Sequence, residues 1–363
     1  MPAVMILADE DFASRERDLL SRLEVGLVTG GTRVFHAVPD TLPELLDGRV
    51  FSEAIGYTPH GPLPPLGRRA RDLAQRALES AGSDGIAVVH VFGAQAWPLA
   101  FETAGLLGAG LVLEVYSARL ADSLGGAHLE SVDDRVLASV PSPGLERRCL
   151  RKLDSRHLRL VRWGVHAEAA TGVDKPMAAG DRPAVLLAGT GHDREWWAHA
   201  MEALSRVRLD GDQPPLIFAD ADAAHHAHLR NVVERLAMAE HVSFVPSVEA
   251  HREPALRVDA LVLPDAMHEH RSLVLDAHAQ GILVAAVVDP LIDELGTDYG
   301  VTQLDPGDPD RWAEEFRRVF EDARLAEERR AKGLSAIEQF HVGAAHVAAV
   351  EAIYEGMLAN KSG

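Results

Sequence analysis

Between Leu261 and Val288 the chain reads LVLPDAMHEHRSLVLDAHAQGILVAAVV. An apolar run leads into a polar loop carrying His268, Glu269, His270 and Arg271, then a helix-like stretch, Gly281 and a second apolar run. Such a loop presents backbone N–H groups at a helix amino terminus, where the helix dipole favours an anion such as a diphosphate. Ser272 and Leu273 open that helix, and Arg271 places a permanent cation beside it. A second loop, from Gly189 and Thr190 through Arg194 to Trp196, also follows an apolar run and precedes a helix-like stretch.

Other chemistries find less support. The chain has 18 histidines, with His225, His226 and His228 close together. On a helix His225 and His228 share a face, but His226 points elsewhere and no third ligand or thiolate pair lies nearby, so no metal site is expected. His90 and His166 follow strands and read as hydrogen-bonded structural histidines. Walker loops, a G-x-G-x-x-G after the first strand, H-E-x-x-H and nucleophile elbows are all missing. P-loop enzymes, dehydrogenases, zincins and serine hydrolases are therefore disfavoured.

The elements that position these loops alternate in type. Apolar runs at 4–8, 33–38, 85–92, 110–116, 135–141 and 158–163 are separated by helical periodicity at 15–28, 96–107 and 144–153. Such alternation implies parallel strands with crossover helices. Residues 167–183, rich in Ala, Gly, Pro and charge, read as a linker. Beyond them strands at 184–188, 215–219, 242–245, 260–263 and 283–288 alternate with helices at 194–206, 223–239 and after Ser272, and 309–340 reads as helix with a solvated charged face. The chain of 363 residues is thus expected to form two α/β domains, 1–166 and 184–339. In open parallel sheets, ligands sit at the carboxyl ends of the strands, where these loops lie.

Taken together, the loop and its flanking landmarks resemble the family 4 retaining glycosyltransferases. The donor signature of that family is a Glu-x7-Glu loop and helix ahead of an Ala-x-Ala-x-Gly turn. Further landmarks are Val88-Val89-His90-Val91, Arg162-Trp163-Gly164-Val165-His166 and Val242-Ser243-Phe244-Val245-Pro246, in the family's order over essentially the whole chain. The resemblance implies the GT-B fold: two Rossmann-like doubly wound domains facing a central cleft, with the terminal helix 340–363 packing back on the first. It also implies a nucleotide-sugar donor, no cofactor and no metal. The donor base and ribose would lie near Val245, Pro246 and Asp276, and the diphosphate near Gly189, Thr190 and Arg271 to Leu273.

Individual positions depart from the family pattern. His268 and Asp276 stand where the two glutamates are expected, with Glu269 one residue out of register. Thr190 replaces the usual Arg and no lysine follows, leaving Arg194 or Arg271 to counter the diphosphate. Tyr116 takes the place of a first-domain histidine, and a phenol with a pKa near about 10 is a poor base. The reading is a retaining glycosyltransferase with Tyr116, His268 and Asp276 as its catalytic positions, acting on an unknown glycan or small-molecule acceptor. The alternative is a catalytically silent GT-B protein that binds a glycan, a nucleotide or another protein.

Composition narrows the partners. The net charge of −19 disfavours nucleic acid and anionic membrane surfaces in the absence of a local basic patch, and none is obvious. No apolar stretch is long enough to span a bilayer. The single cysteine, Cys149, excludes an internal disulfide and fits a reducing, cytoplasmic setting.

Overall fold

The structure, a computed structural model, describes residues 3–42, 52–59, 64–124, 135–165, 182–208, 213–246, 248, 257–305 and 307–359. His166, residues 167–181 of the expected linker and residues 360–363 of the expected terminal helix lie outside the described residues. The chain divides into two compact units, Met1–Gly164 with Gly343–Gly363, and Val165–Val342.

The first unit is built on a parallel sheet of seven strands: β1 (Ala3–Ala8), β2 (Arg33–Pro39), β3 (Glu53–Tyr57), β4 (Ile86–Phe92), β5 (Gly110–Glu114), β6 (Val136–Val140) and β7 (Leu158–Leu160). Their order is β3-β2-β1-β4-β5-β6-β7, so the direction of winding switches between β1 and β4. Every residue of β1 is buried, as a central strand covered by helices on both faces requires. The helices among the described residues are α1 (Glu10–Arg15), α2 (Arg17–Thr29), α3 (Leu66–Ala81), α4 (Trp97–Leu107), α5 (Ala118–Ser123) and α6 (Pro143–Cys149). On α2 the leucines 19, 20, 23 and 27 recur at helical spacing and are all buried.

The second unit carries a six-stranded parallel sheet: β8 (Ala184–Leu187), β9 (Leu216–Asp220), β10 (Val242–Val245), β11 (Ala260–Leu263), β12 (Leu283–Val287) and β13 (Thr302–Leu304). The order β10-β9-β8-β11-β12-β13 puts the switch point between β8 and β11. Among the described residues its helices are α7 (Arg194–Arg206), α8 (Ala221–His226), α9 (Leu229–Arg235), α10 (Ser272–Ala279), α11 (Pro309–Glu321) and α12 (Ala323–Phe340). The expected single helix 223–239 is two, because His228 adopts φ 55° and breaks the run. The charged stretch 309–340 is more than a solvated face: Trp312, Phe316, Val319 and Phe320 of α11 enter the same core as Trp197 of α7.

Last in sequence, α13 (Gly343–Ala359) returns to the first unit and packs on α2. Val347 occupies the space beside Gly26, where a Cβ would overlap its side chain. Tyr354 reaches His90 Nδ1 with its hydroxyl at 2.8 Å.

Candidate functional site

The carboxyl ends of β8, β11 and β12 lie side by side, so the loops that follow them share one edge of the sheet. Gly189, after β8, has φ 153°, and a Cβ there would overlap Asp265 Oδ1. Asp265 follows β11 and is 3 % exposed. Its carboxylate crosses the switch point to accept the Thr190 N–H at 3.2 Å and the Thr190 hydroxyl at 2.5 Å. From the same side Arg271 donates to the Gly189 carbonyl at 3.3 Å, and its Nε lies 4.0 Å from Glu269. The structure therefore brings Gly189, Thr190 and Arg271 together, with Asp265 as a residue whose role the sequence did not disclose.

Two helix amino termini open on this edge, and they differ. At α7 Asp193 accepts the Trp196 N–H at 3.2 Å, and the His192 N–H is taken by Thr190 Oγ1. In the first loop the N–H groups of Thr190, His192 and Trp196 are thus already taken by side chains of the protein. At α10 the cap residue is Arg271 and no side chain caps the helix, so Ser272 and Leu273 sit at an end whose dipole favours negative charge. Arg194 is exposed and donates to the His226 carbonyl at 3.2 Å, the behaviour of a surface helix residue.

His268 takes the left-handed conformation with φ 52°. Its N–H donates to Asp289 Oδ2 at 2.6 Å, its ring Nδ1 lies 3.3 Å from Asp289 Oδ1, and its side chain is about half exposed at 54 %. Asp289, after β12, also accepts the Leu291 N–H at 3.0 Å, so one buried carboxylate pins both loops. Asp276 is buried within α10 at 7 % exposure. Val245 and Pro246 end β10 at the far edge of the sheet, two strands from β8.

Beneath the loop lies a buried polar cluster. Glu294 pairs with His270 Nδ1 at 3.3 Å and with His341 Nε2 at 3.4 Å, and all three are essentially unexposed. Tyr299 reaches His341 Nε2 at 2.9 Å, and His278 Nε2 lies 3.1 Å from the Glu294 carbonyl. Burial works to raise the Glu294 carboxyl, but the two histidines overcome it and hold it at about 2. Burial pushes His278 down to about 4. His270 thus faces inward as an anchor of the loop, while His268 faces out.

In the first unit Tyr116 is 6 % exposed, with its ring centroid 4.9 Å from Phe12 and 6.0 Å from Trp163. His90 lies in a buried network, its Nε2 3.3 Å from Glu114 Oε2, while the Trp163 N–H donates to Glu114 Oε1 at 2.6 Å. That network accounts for His90 as a structural residue. The switch point of this unit mirrors the other: Asp9 accepts the Phe12 N–H at 2.9 Å and the Gln95 N–H at 3.0 Å, and sits where a Cβ on Gly93 would fall. Among the described residues no three His, Cys, Asp or Glu side chains converge as a metal ion would require.

No protein-family model and no curated protein matches the chain. Solved structures do. A glycosyltransferase from Rickettsia africae superposes with a TM-score of 0.73 at 14 % identity, covering 98 % of this chain and 99 % of its own. Sucrose-phosphate synthase from Thermosynechococcus elongatus gives 0.74 at 15 %, covering 99 % and 100 %. Anabaena HepE in complex with UDP gives 0.74 at 11 %, covering 98 % and 100 %. At such identities the likeness defines the fold, and the fold is GT-B, two Rossmann-like units each on its own parallel sheet.

Proposed function

We propose that the chain is a nucleotide-sugar-dependent glycosyltransferase of the retaining type, with an unidentified acceptor. The observation that carries this reading is the uncapped amino terminus of α10 beside Arg271, at the β8/β11 switch point of a GT-B fold. The diphosphate would sit against Ser272 and Leu273 with Arg271 countering its charge as the leaving group departs. Gly189 and Thr190 would border it, and Asp276, Val245 and Pro246 would serve the ribose and base. Tyr116 and His268 are the remaining candidates for contact with acceptor or donor sugar. No step in this scheme calls for a metal. UDP is the first nucleotide to test because HepE, of the same fold, was crystallised with UDP and with UDP-glucose.

The substitutions themselves support a second reading, a GT-B protein that binds a nucleotide or glycan without turnover. His268 stands where a carboxylate is expected, and Asp265, not a cation, closes on Thr190. A thermal-shift titration with UDP, GDP, ADP and their sugar conjugates separates the possibilities. A ligand at about a hundred times its Kd stabilises by about 2.7 kcal/mol. Stabilisation by one nucleotide, abolished by Arg271→Met, supports donor binding, and release of that nucleotide from its sugar conjugate supports turnover. No shift with any of them at millimolar concentration removes the donor site.

A further inference from the structure

We infer that the α6–β7 face of the first unit is a docking surface for an anionic phospholipid bilayer. Seven of the 36 lysines and arginines of the chain fall between Glu146 and Arg162, against two carboxylates, in a protein whose net charge is −19. This is the local basic patch that the overall composition conceals. Arg147, Arg151, Lys152, Arg156 and Arg159 are exposed. The stretch is continuous surface: α6, the turn after it, a short 3-10 turn at Ser155–His157, and β7, the edge strand of the sheet.

The patch is held in shape by its own polar contacts. Arg148 forms a two-pronged pair with Asp122 at 2.6 and 2.9 Å, and Lys152 donates to the Asp122 carbonyl, which fixes α6 on α5. Arg159 donates to the carbonyls of Arg156 and Leu158, so its charge is spread over the 3-10 turn without being neutralised. Asp154 spends its carboxylate on the Arg156 N–H at 3.0 Å. Arg147 lies in the last turn of α6 and Arg151 in the turn that follows it, and neither forms an ion pair with a described residue.

Two apolar side chains lie among these cations: Leu150 is 45 % exposed and Leu160 39 %. Leucines flanked by long basic side chains suit the boundary between headgroups and acyl chains, where the cations meet lipid phosphates and the leucines enter the apolar layer. A nucleic-acid groove would call instead for exposed aromatic or amide side chains among the cations, and Glu146–Arg162 contains no Phe, Tyr, Trp, Asn or Gln, while its one histidine, His157, is buried. The acidity of the remainder of the chain repels the same bilayer, so only this face is attracted to it. The inference is independent of the donor-site reading.

Flotation of the full chain with vesicles tests it, using neutral phosphatidylcholine alone or with about a third phosphatidylglycerol. The expected result is at least about tenfold stronger partition onto the anionic vesicles, lost when salt rises from about 50 mM to about 0.5 M. The triple variant Arg147→Glu, Arg151→Glu, Arg156→Glu is expected to lose about tenfold or more, and Leu150→Ser with Leu160→Ser to weaken binding at about 50 mM salt. Arg68→Glu with Arg71→Glu, an exposed pair on α3, serves as the control and should change binding less than about twofold. All the altered side chains are exposed, and unchanged melting verifies the fold. Partition indifferent to lipid charge, binding retained by the triple variant, or retention on RNA with none on vesicles would each overturn the proposal.

Discussion

Asp265 shows how one carboxylate sets the character of the site. It accepts two bonds from Thr190 and fills the space that forces residue 189 to be glycine. Gly189→Ala is therefore expected to cost about 1–3 kcal/mol, from the left-handed backbone and the overlap. Asp265→Ala should cost a similar amount, since it strips acceptors from the Thr190 N–H and hydroxyl. Because each relieves part of what the other breaks, the double variant should cost less than the sum, by about 0.5–3 kcal/mol, in urea denaturation. Strict additivity would mean the two groups do not meet.

Acid stability is also decided by single residues. His278 titrates near 4 in the fold against an ordinary 6.5. Its neutral form contributes stability that is complete above about 6.5 and lost as pH falls through about 4. Glu294, held at about 2 against 4.5, loses its contribution in the window below that, from about 4.5 down to 2. Each is worth about 3 kcal/mol at full effect. The Tm should fall between pH 6.5 and 4, and His278→Gln should flatten that fall while leaving the lower window in place. A Tm that is flat down to pH 4 in the parent would contradict the burial of His278.

Elements differ in how plainly they announce themselves. The central strands were legible because their residues are apolar without interruption, as in Ala3–Ala8. At the margins the signal fades: β3 buries only Ile55 and Tyr57, and β13 has three residues. The helix α3 passed unread because its buried face is Ala70, Leu73, Ala74, Ala77 and Ala81, small residues whose burial depends on close approach and not on hydrophobicity. The loop 264–271 was legible as a polar strand-to-helix connection, but the contacts of Asp265, Asp289 and Glu294 were not. Their roles arise from residues 75, 21 and 24 positions away in the chain, and no local pattern records those meetings.

Helix α6 offers a test at this scale. Cys149 is fully buried, and burial pushes its thiol up to about 12. Iodoacetamide at pH 8 should leave it unmodified in the native protein and react only when α6 opens, so the labelling rate in dilute urea reports the local stability of that helix. Rapid labelling without denaturant would show that the helix is not packed as described. On α11, Phe316→Ala should cost about 3–5 kcal/mol in the second unit, because the ring is 2 % exposed in a core shared with α7.

For the whole molecule, the described residues include no helix long and apolar enough to cross a membrane. The first unit is discontinuous, made of Met1–Gly164 and Gly343–Gly363. Removing residues 343–363 takes away Val350, Ile353, Tyr354 and Met357, all buried, and leaves His90 without its hydroxyl partner. Calorimetry of that truncation should show the transition of the first unit lowered by ten degrees or more, about the effect of several lost core side chains. The transition of Val165–Val342 should persist. Equal loss in both would mean the units do not unfold separately.

The same discontinuity sets an order of events at the ribosome. Strands β1 to β7 emerge first, yet the groove on α2 that awaits Val347 and the histidine that awaits Tyr354 stay open until some 180 further residues have been made. The second unit, synthesised later, is contiguous, so its contacts close over shorter stretches of chain than the one that brings α13 back to α2. Until α13 docks, the first unit is therefore unfinished, with the apolar seat of that helix on α2 exposed to whatever chaperone is at hand.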